Sequence, residues 1–97
     1  MTRIRCCVPF CRRSAPSERH PGCQEIICGK HWRLASKALR RRRSRILRRY
    51  RARFGDRAAW TFPAGSPDRI EAVRLARLDD RLWERCKAQA IERAGGI

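Results

Sequence analysis

Residues 6–11 have the sequence Cys-Cys-Val-Pro-Phe-Cys, and residues 28–31 have the sequence Cys-Gly-Lys-His. Structural zinc takes four sulfur or nitrogen ligands in a tetrahedron, and these ligands commonly come as two pairs that are each close in sequence. Cys28 and His31 make a good second pair, because both side chains can converge on one ion from the first turn of a helix. The two segments therefore predict a Zn²⁺ site in the N-terminal third of the chain.

The other cysteines leave the first ligand pair open. Cys11 can pair with either Cys6 or Cys7, and Cys23 could replace either member of that pair or be a loop thiol. Cys86 falls on an apolar helical stripe, where a cysteine is typically a small core residue. Six cysteines would predict three disulfides in an exported protein, but no apolar signal core follows the basic N-terminus. We therefore expect a cytoplasmic, intracellular protein whose thiols bind metal.

The spacing Cys6-x4-Cys11, followed by Cys28-x2-His31 and the aromatic Trp32, resembles the small zinc-binding treble-clef motif of bacteriophage and prophage proteins. This motif is often found next to or within HNH-type endonucleases. The resemblance covers about residues 4–34. It implies a zinc-binding module in which Cys6 and Cys11 are the first ligand pair, and Cys28 and His31 the second.

The residues that HNH catalysis requires are incomplete in this chain. Those nucleases use a catalytic histidine together with a second histidine or an asparagine, whereas this sequence has no asparagine and only one histidine besides His31. That residue, His20, lies beside Pro21 and Gly22, where we expect a solvated turn. We therefore expect no enzymatic activity.

Positive charge is concentrated in the first half of the chain. The 97 residues carry 25 Lys and Arg against 9 Asp and Glu, a formal net charge of +16. Residues 1–57 hold 18 basic and 3 acidic side chains, whereas residues 58–97 hold 7 and 6. Almost all of the basic residues are arginine, whose planar guanidinium suits phosphate. This asymmetry predicts one half that binds a polyanion and one that folds or docks.

Residues 29–54 are predicted to form a long basic helix. Its apolar stripe runs from Trp32 through Leu39 to Tyr50, and is interrupted where Arg42 and Arg43 replace core residues. These two arginines either break the stripe or cover apolar surface with their stems. The opposite face is the predicted nucleic-acid-binding surface: Arg33, Lys37, Arg40, Arg41, Arg45, Arg48 and Arg51.

A second amphipathic helix is predicted over residues 67–94, after a connector at residues 55–66. Ser66 is a suitable N-cap, and Pro67 suits the first helical position. The apolar stripe of this helix contains Asp79, which could pair with an arginine of the first helix or lie at a solvent-exposed gap. Its members are Ala72, Leu75, Ala76, Leu82, Trp83, Cys86, Ala90 and Ala94.

Together these elements predict a mainly α fold that forms one compact domain. A zinc knuckle or treble clef over residues 1–34 contains a short hairpin, with a possible strand at residues 24–28. The basic helix and the C-terminal amphipathic helix then form a helical hairpin. No apolar run approaches the length of roughly 20 residues that spans a bilayer, so we expect no membrane partner.

Two functions fit this pattern. The first is a zinc-stabilised protein that binds the phosphate backbone of DNA or RNA through its arginine-rich helix. The alternative is a phage adaptor or host-takeover factor that binds a protein, such as a polymerase or nuclease, through the zinc module and residues 67–94. Trp60, Phe62 and Trp83 could anchor such a partner, or could pack the connector onto the helices. The C-terminal helix could also mediate a homodimer.

Overall fold

Helices make up most of the chain in the computed structural model, which describes residues 2–95. They are α1 (Gly29–Trp32), α2 (Lys37–Phe54) and α3 (Pro67–Gly95). The predicted mainly helical fold, in which two long helices pack against each other, is confirmed. None of the described helices combines the length and the apolar character that a membrane-spanning segment needs.

A two-stranded antiparallel sheet forms the N-terminal hairpin. Strand β1 (Arg3–Arg5) pairs with β2 (Ser14–Pro16), and Ile4 lies opposite Ala15. The expected short hairpin is therefore present. The strand that we predicted at residues 24–28 is not: that segment makes one isolated parallel bridge, between Cys6 and Ile26. A single bridge leaves most of the segment outside a ladder of backbone hydrogen bonds.

The prediction of one continuous helix over residues 29–54 is wrong in its first part. Helix α1 ends at Trp32, and residues 33–36 form a turn before α2 begins. The backbone N–H of Ser36 donates to Oε1 of Gln89 at 2.8 Å. The backbone N–H groups of Leu34 and Ala35 donate to carbonyl oxygens three residues back, so the α-helical ladder has ended before Ser36, whose amide is satisfied by a side chain of α3.

The described residues cluster into two compact units. The first comprises residues 2–36 together with residues 86–95, so the last turns of α3 belong to it. Its N-terminal part contributes few large apolar side chains, and α3 supplies Ile91 and Ala94 to the same small core. The other members of that core are Cys6, Val8, Cys11, Ile27, Cys28 and Leu34.

Polar contacts hold the end of α3 in the first unit. The Lys87 ammonium lies 2.9 and 3.2 Å from the two carboxylate oxygens of Glu25. The Arg93 guanidinium donates to the Leu34 carbonyl oxygen at 2.6 Å. These contacts join residues that are about sixty positions apart in the chain. Local sequence patterns do not report contacts over such separations, so the sequence analysis treated residues 1–34 and 67–94 as separate elements.

The second unit, Lys37–Arg85, contains α2, the connector and the first part of α3. Three ion pairs show that α2 and α3 run antiparallel, because the residue number rises on one helix as it falls on the other. The pairs are Arg43–Asp79 at 2.9 Å, Arg49–Glu71 at 3.8 Å and Arg53–Asp68 at 3.6 Å. Asp79 therefore pairs with an arginine of the first long helix, one of the two alternatives that its position in the stripe left open.

The Asp79 carboxyl group is half-buried among apolar side chains. Burial raises its pKa above the ordinary value, although the nearby Arg43 charge acts in the opposite direction. The Arg43 guanidinium also lies over the Trp83 ring, 5.0 Å from its centroid. Arg43 can therefore lie within the apolar stripe, because its guanidinium group contacts both the Asp79 carboxylate and the face of the Trp83 ring.

Apolar side chains from both helices and the connector form the core of the second unit. Leu39 of α2 and Leu75 and Leu82 of α3 are buried, as the two predicted stripes require. In the connector, the Phe62 ring is buried and packs against Phe54 with centroids 5.0 Å apart. The predicted N-cap is also present, since the Ser66 hydroxyl accepts the Arg69 backbone N–H at 3.2 Å.

We predict that Ala94→Arg destabilises the protein far more than Ala88→Arg. Ala94 lies in the small core of the first unit, whereas Ala88 is an exposed residue of the same helix. A large charged side chain at the buried position overpacks that core, at a cost of about 1–3 kcal/mol, whereas a surface substitution changes stability by about 0.5 kcal/mol or less. Urea denaturation of both variants measures the difference. Equal midpoints would contradict this packing.

Candidate metal centre and arginine surface

Four side chains of the first unit converge on one point. The sulfur atoms of Cys6, Cys11 and Cys28 and a ring nitrogen of His31 all lie within 4.8 Å of one another. Cys6, Cys11 and His31 are buried, and Cys28 is half-buried. All six cysteines of the chain are free thiols, so no disulfide competes for these sulfur atoms.

The distances between these atoms fit a tetrahedral zinc ion. Bond lengths of about 2.3 Å to sulfur and 2.0 Å to nitrogen place tetrahedral ligands about 3.8 Å apart for two sulfurs and 3.5 Å apart for sulfur and nitrogen. The Cys11 and Cys28 sulfurs are 3.9 Å apart. Nδ1 of His31 lies 3.2 Å from the Cys28 sulfur and 3.8 Å from the Cys6 sulfur. The cluster can therefore hold a metal ion with three sulfur ligands and one nitrogen ligand.

A tight turn places the first two ligands. The Cys11 backbone N–H donates to the Val8 carbonyl oxygen at 3.0 Å, and this bond closes the loop between Cys6 and Cys11. The Cys6 backbone N–H donates to the Arg13 carbonyl oxygen at 2.8 Å, beside the β1–β2 ladder. Val8 is fully buried beneath the loop. The hairpin and this buried residue thus hold the Cys6 and Cys11 sulfurs within 4.8 Å of each other.

The first turn of α1 places the other two ligands. Cys28 immediately precedes the helix, and His31 is three residues further on, so both side chains lie on one face. The Cys28 backbone N–H points at the Cys6 sulfur at 3.3 Å, a contact that favours a thiolate there. The Phe10 ring meets the His31 ring edge to face with centroids 6.0 Å apart, which restricts the orientation of the imidazole.

The pKa values of the Cys6 and Cys28 thiols are shifted in opposite directions by their surroundings. Burial raises the pKa of Cys6. At Cys28 burial acts in the same direction, but the His31 backbone N–H, the Cys11 and Cys6 side chains and the charge of Arg13 outweigh it and lower the pKa. Of Cys6 and Cys28, Cys28 is therefore the thiol that ionises more readily. A Zn²⁺ ion would provide the positive charge that ionises its neighbours, since a coordinating thiol loses its proton.

The other chemically notable side chains lie outside this cluster. Cys7 points away from it and is half-buried, with its pKa raised by burial and by the charges of Cys6 and Glu25. Cys23 is exposed. Cys86 is fully buried in α3, as its position in the apolar stripe predicted. His20 is half-buried in the turn after β2. Of the alternatives for the first ligand pair, the structure brings Cys6 and Cys11 together.

Most of the predicted nucleic-acid-binding residues lie on the surface of α2. Among them only Arg40 is half-buried, whereas the other members on this helix are exposed: Lys37, Arg41, Arg45, Arg48 and Arg51. Arg33 is exposed but follows α1 in the first unit, so it does not share a continuous helical face with the others. The break at residues 33–36 corrects that part of the prediction.

A second group of arginines surrounds a groove between α2 and α3 in the second unit, which we did not predict. The groove has a volume of about 450 Å³, and Arg45 is the one member of the predicted set that lines it. Finding the others required the register of the two antiparallel helices, which the predicted helical hairpin leaves open. The lining residues are Arg42, Arg45, Ile46, Arg49, Leu78, Arg81, Leu82 and Arg85.

Comparisons with known proteins show no similarity on which to base a function: no family model, curated protein or solved structure matches the chain.

We predict that Cys6→Ser loses bound zinc, whereas Cys7→Ser keeps about one zinc per chain. The two substitutions change neighbouring residues identically, but only the Cys6 sulfur faces the other three ligands. Metal analysis of the purified variants, with free thiols counted in parallel, measures the stoichiometry. Zinc retained by Cys6→Ser and lost from Cys7→Ser would assign the first ligand pair to Cys7 and Cys11.

Proposed function

We propose that the protein is a zinc-stabilised nucleic-acid-binding protein that contacts the phosphate backbone through the arginines of its second unit. The observation that carries this proposal is the charge of α2. Seven of its nine arginines are exposed, and the helix contains no acidic residue. Such a surface attracts a polyanion and releases the counterions condensed on it.

Zinc has a structural role in this proposal. Three of the four candidate ligands are buried, and two of them are part of the small core of the first unit. An ion bound there would connect the N-terminal loop to α1, because the ligands come from both. Structural zinc contributes on the order of ten kcal/mol to the folding of small modules. Two further parts of the proposal, a treble-clef fold for this module and a phage or prophage origin, rest on the resemblance of the pattern from Cys6 to His31 to the zinc-binding motif of phage and prophage proteins.

The ion pairs of the second unit involve only some of its arginines, and several of the others are available to bind the phosphate backbone of a nucleic acid. Arg43, Arg49 and Arg53 each face an acidic residue of α3. By contrast, Arg42, Arg45, Arg81 and Arg85 make no ion pair with any acidic side chain of the described residues. Like charges this close along a helix repel each other. A phosphate chain laid beside them relieves that repulsion.

The alternative function, docking to a protein partner, is supported by exposed apolar side chains outside the apolar stripe of α3. The apolar stripe of α3 is buried within the chain, so it offers little surface to a partner or to a second copy. The large apolar side chains that remain exposed in the second unit are Trp60 at 75%, Ile70 at 63% and Leu47 at 38%. A partner that binds through apolar contacts would use Trp60 first, because exposed tryptophan commonly dominates protein interfaces.

We predict that affinity for a labelled oligonucleotide falls steeply as salt increases. Five phosphate contacts by arginine give a slope of about −4.5 for log affinity against log salt on duplex DNA, and of about −3.5 on a single strand. Fluorescence anisotropy over a series of salt concentrations measures this slope on DNA and on RNA. A flat salt dependence, or no binding at low salt, would contradict the proposal.

A Trp60→Ala variant serves as the control that separates the two functions. Its nucleic-acid affinity and salt slope should match those of the unchanged protein, because the variant alters no charge. Loss of oligonucleotide binding in this variant would instead assign the interaction to the apolar surface of the connector.

A further inference from the structure

The groove between α2 and α3 combines two chemistries that a phosphate-binding surface alone does not need. Its arginines come from both helices: Arg42, Arg45 and Arg49 from α2, and Arg81 and Arg85 from α3. All five are exposed. No acidic residue lines the groove. The charge of this groove therefore selects an anionic occupant.

The bottom of the same groove is apolar. Ile46 and Leu78 are half-buried and Leu82 is buried, so these side chains lie deeper than the arginines around them. A phosphate chain on its own would leave the exposed parts of Ile46 and Leu78 facing water. An occupant that also presents an apolar or aromatic face would cover them and gain the free energy of their burial.

The arginines that line the groove form one row on α2 and one row on α3. Positions 42, 45 and 49 are separated by one helical turn each, so their side chains share a face of α2 over a length of about 10 Å. Positions 81 and 85 are likewise one turn apart on α3. The arginines of both rows line the same groove. An extended chain with repeated negative charges matches this arrangement.

Most of these guanidinium groups are available to a ligand. Arg49 lies 3.8 Å from Glu71, but Arg74 occupies both oxygens of that carboxylate at 2.7 and 2.9 Å. The Arg74 contact holds the pKa of Glu71 below its ordinary value. The Arg49 contact is therefore a loose one that a phosphate can replace.

From these observations we propose that the groove holds a short single-stranded segment of nucleic acid. Its phosphates pair with the two rows of arginines, and an unstacked base lies against Ile46, Leu78 and Leu82. A single strand exposes the faces of its bases, which stack on guanidinium groups and apolar side chains. A duplex covers those faces within its own stack and would offer the groove only phosphates. This inference rests on the proposed function and names the form of its ligand.

The test compares two variants of the same helix that remove equal charge. The groove variant carries Arg42→Gln, Arg45→Gln and Arg49→Gln. The control variant carries Arg41→Gln, Arg48→Gln and Arg51→Gln, which are exposed and lie outside the groove. Fluorescence anisotropy is measured with labelled thymidine and uridine oligonucleotides of about 12 nucleotides, within the site size of single-strand binders. A duplex of the same length and an abasic strand complete the set of probes.

We expect the unchanged protein to bind the single strands more tightly than the duplex or the abasic strand. The groove variant should lose at least about tenfold more affinity for the single strands than the control variant, because it removes the contacts as well as the charge. Circular dichroism checks that both variants keep their helices. Should the groove variant fail to fold, Arg81→Gln with Arg85→Gln tests the opposite wall and should also weaken single-strand binding more than the control.

The outcomes separate this inference from the proposed function. Equal losses in the two α2 variants, or preference for the duplex, would overturn the groove assignment while nucleic-acid binding stands. Equal affinity for the abasic and the intact strand would exclude a base in the groove. Absence of binding to every probe at low salt would overturn the proposed function itself.

Discussion

The first unit depends on the convergence of three thiols and one imidazole. Few large apolar side chains are available in this part of the chain, and the small core that exists is built around Cys6, Val8 and Cys11. Three of the six distances between ligand atoms are close to tetrahedral spacing, and all four atoms lie within 4.8 Å of one another. A metal ion bound there would join the N-terminal loop to α1 by four short bonds, a stronger constraint than the burial of a few apolar groups can provide.

The second unit depends on a different balance, between repulsion among arginines and their pairing with α3. The register of the two helices places three arginines of α2 opposite acidic residues of α3, and the most deeply placed of these pairs, Arg43–Asp79, lies within the apolar stripe. Removing one member of such a pair leaves the other charge partly buried and uncompensated. The same register brings Arg42, Arg45 and Arg49 of α2 and Arg81 and Arg85 of α3 to one groove. Stability of the helix pair and accumulation of positive charge thus follow from one arrangement of side chains.

The sequence predicted those features that depend on neighbouring residues. The Cys28–His31 spacing, the Ser66 cap and the apolar stripe of α3 each follow from short-range periodicity, and the structure contains all three. Features that depend on distant residues were not predictable. At the break before α2, the Ser36 backbone N–H donates to the Gln89 side chain, which is 53 positions away. The choice of Cys6 over Cys7 and the arginine groove likewise depend on how separate segments pack, which periodicity does not encode.

X-ray absorption spectroscopy of the zinc-loaded full chain tests the central claim most directly, because it counts the atoms bound to the metal. The arrangement of Cys6, Cys11, Cys28 and His31 predicts a first shell of three sulfur atoms at about 2.3 Å and one nitrogen atom at about 2.0 Å. A shell of oxygen and nitrogen, a shell of four sulfurs, or a chain that binds no zinc would contradict it.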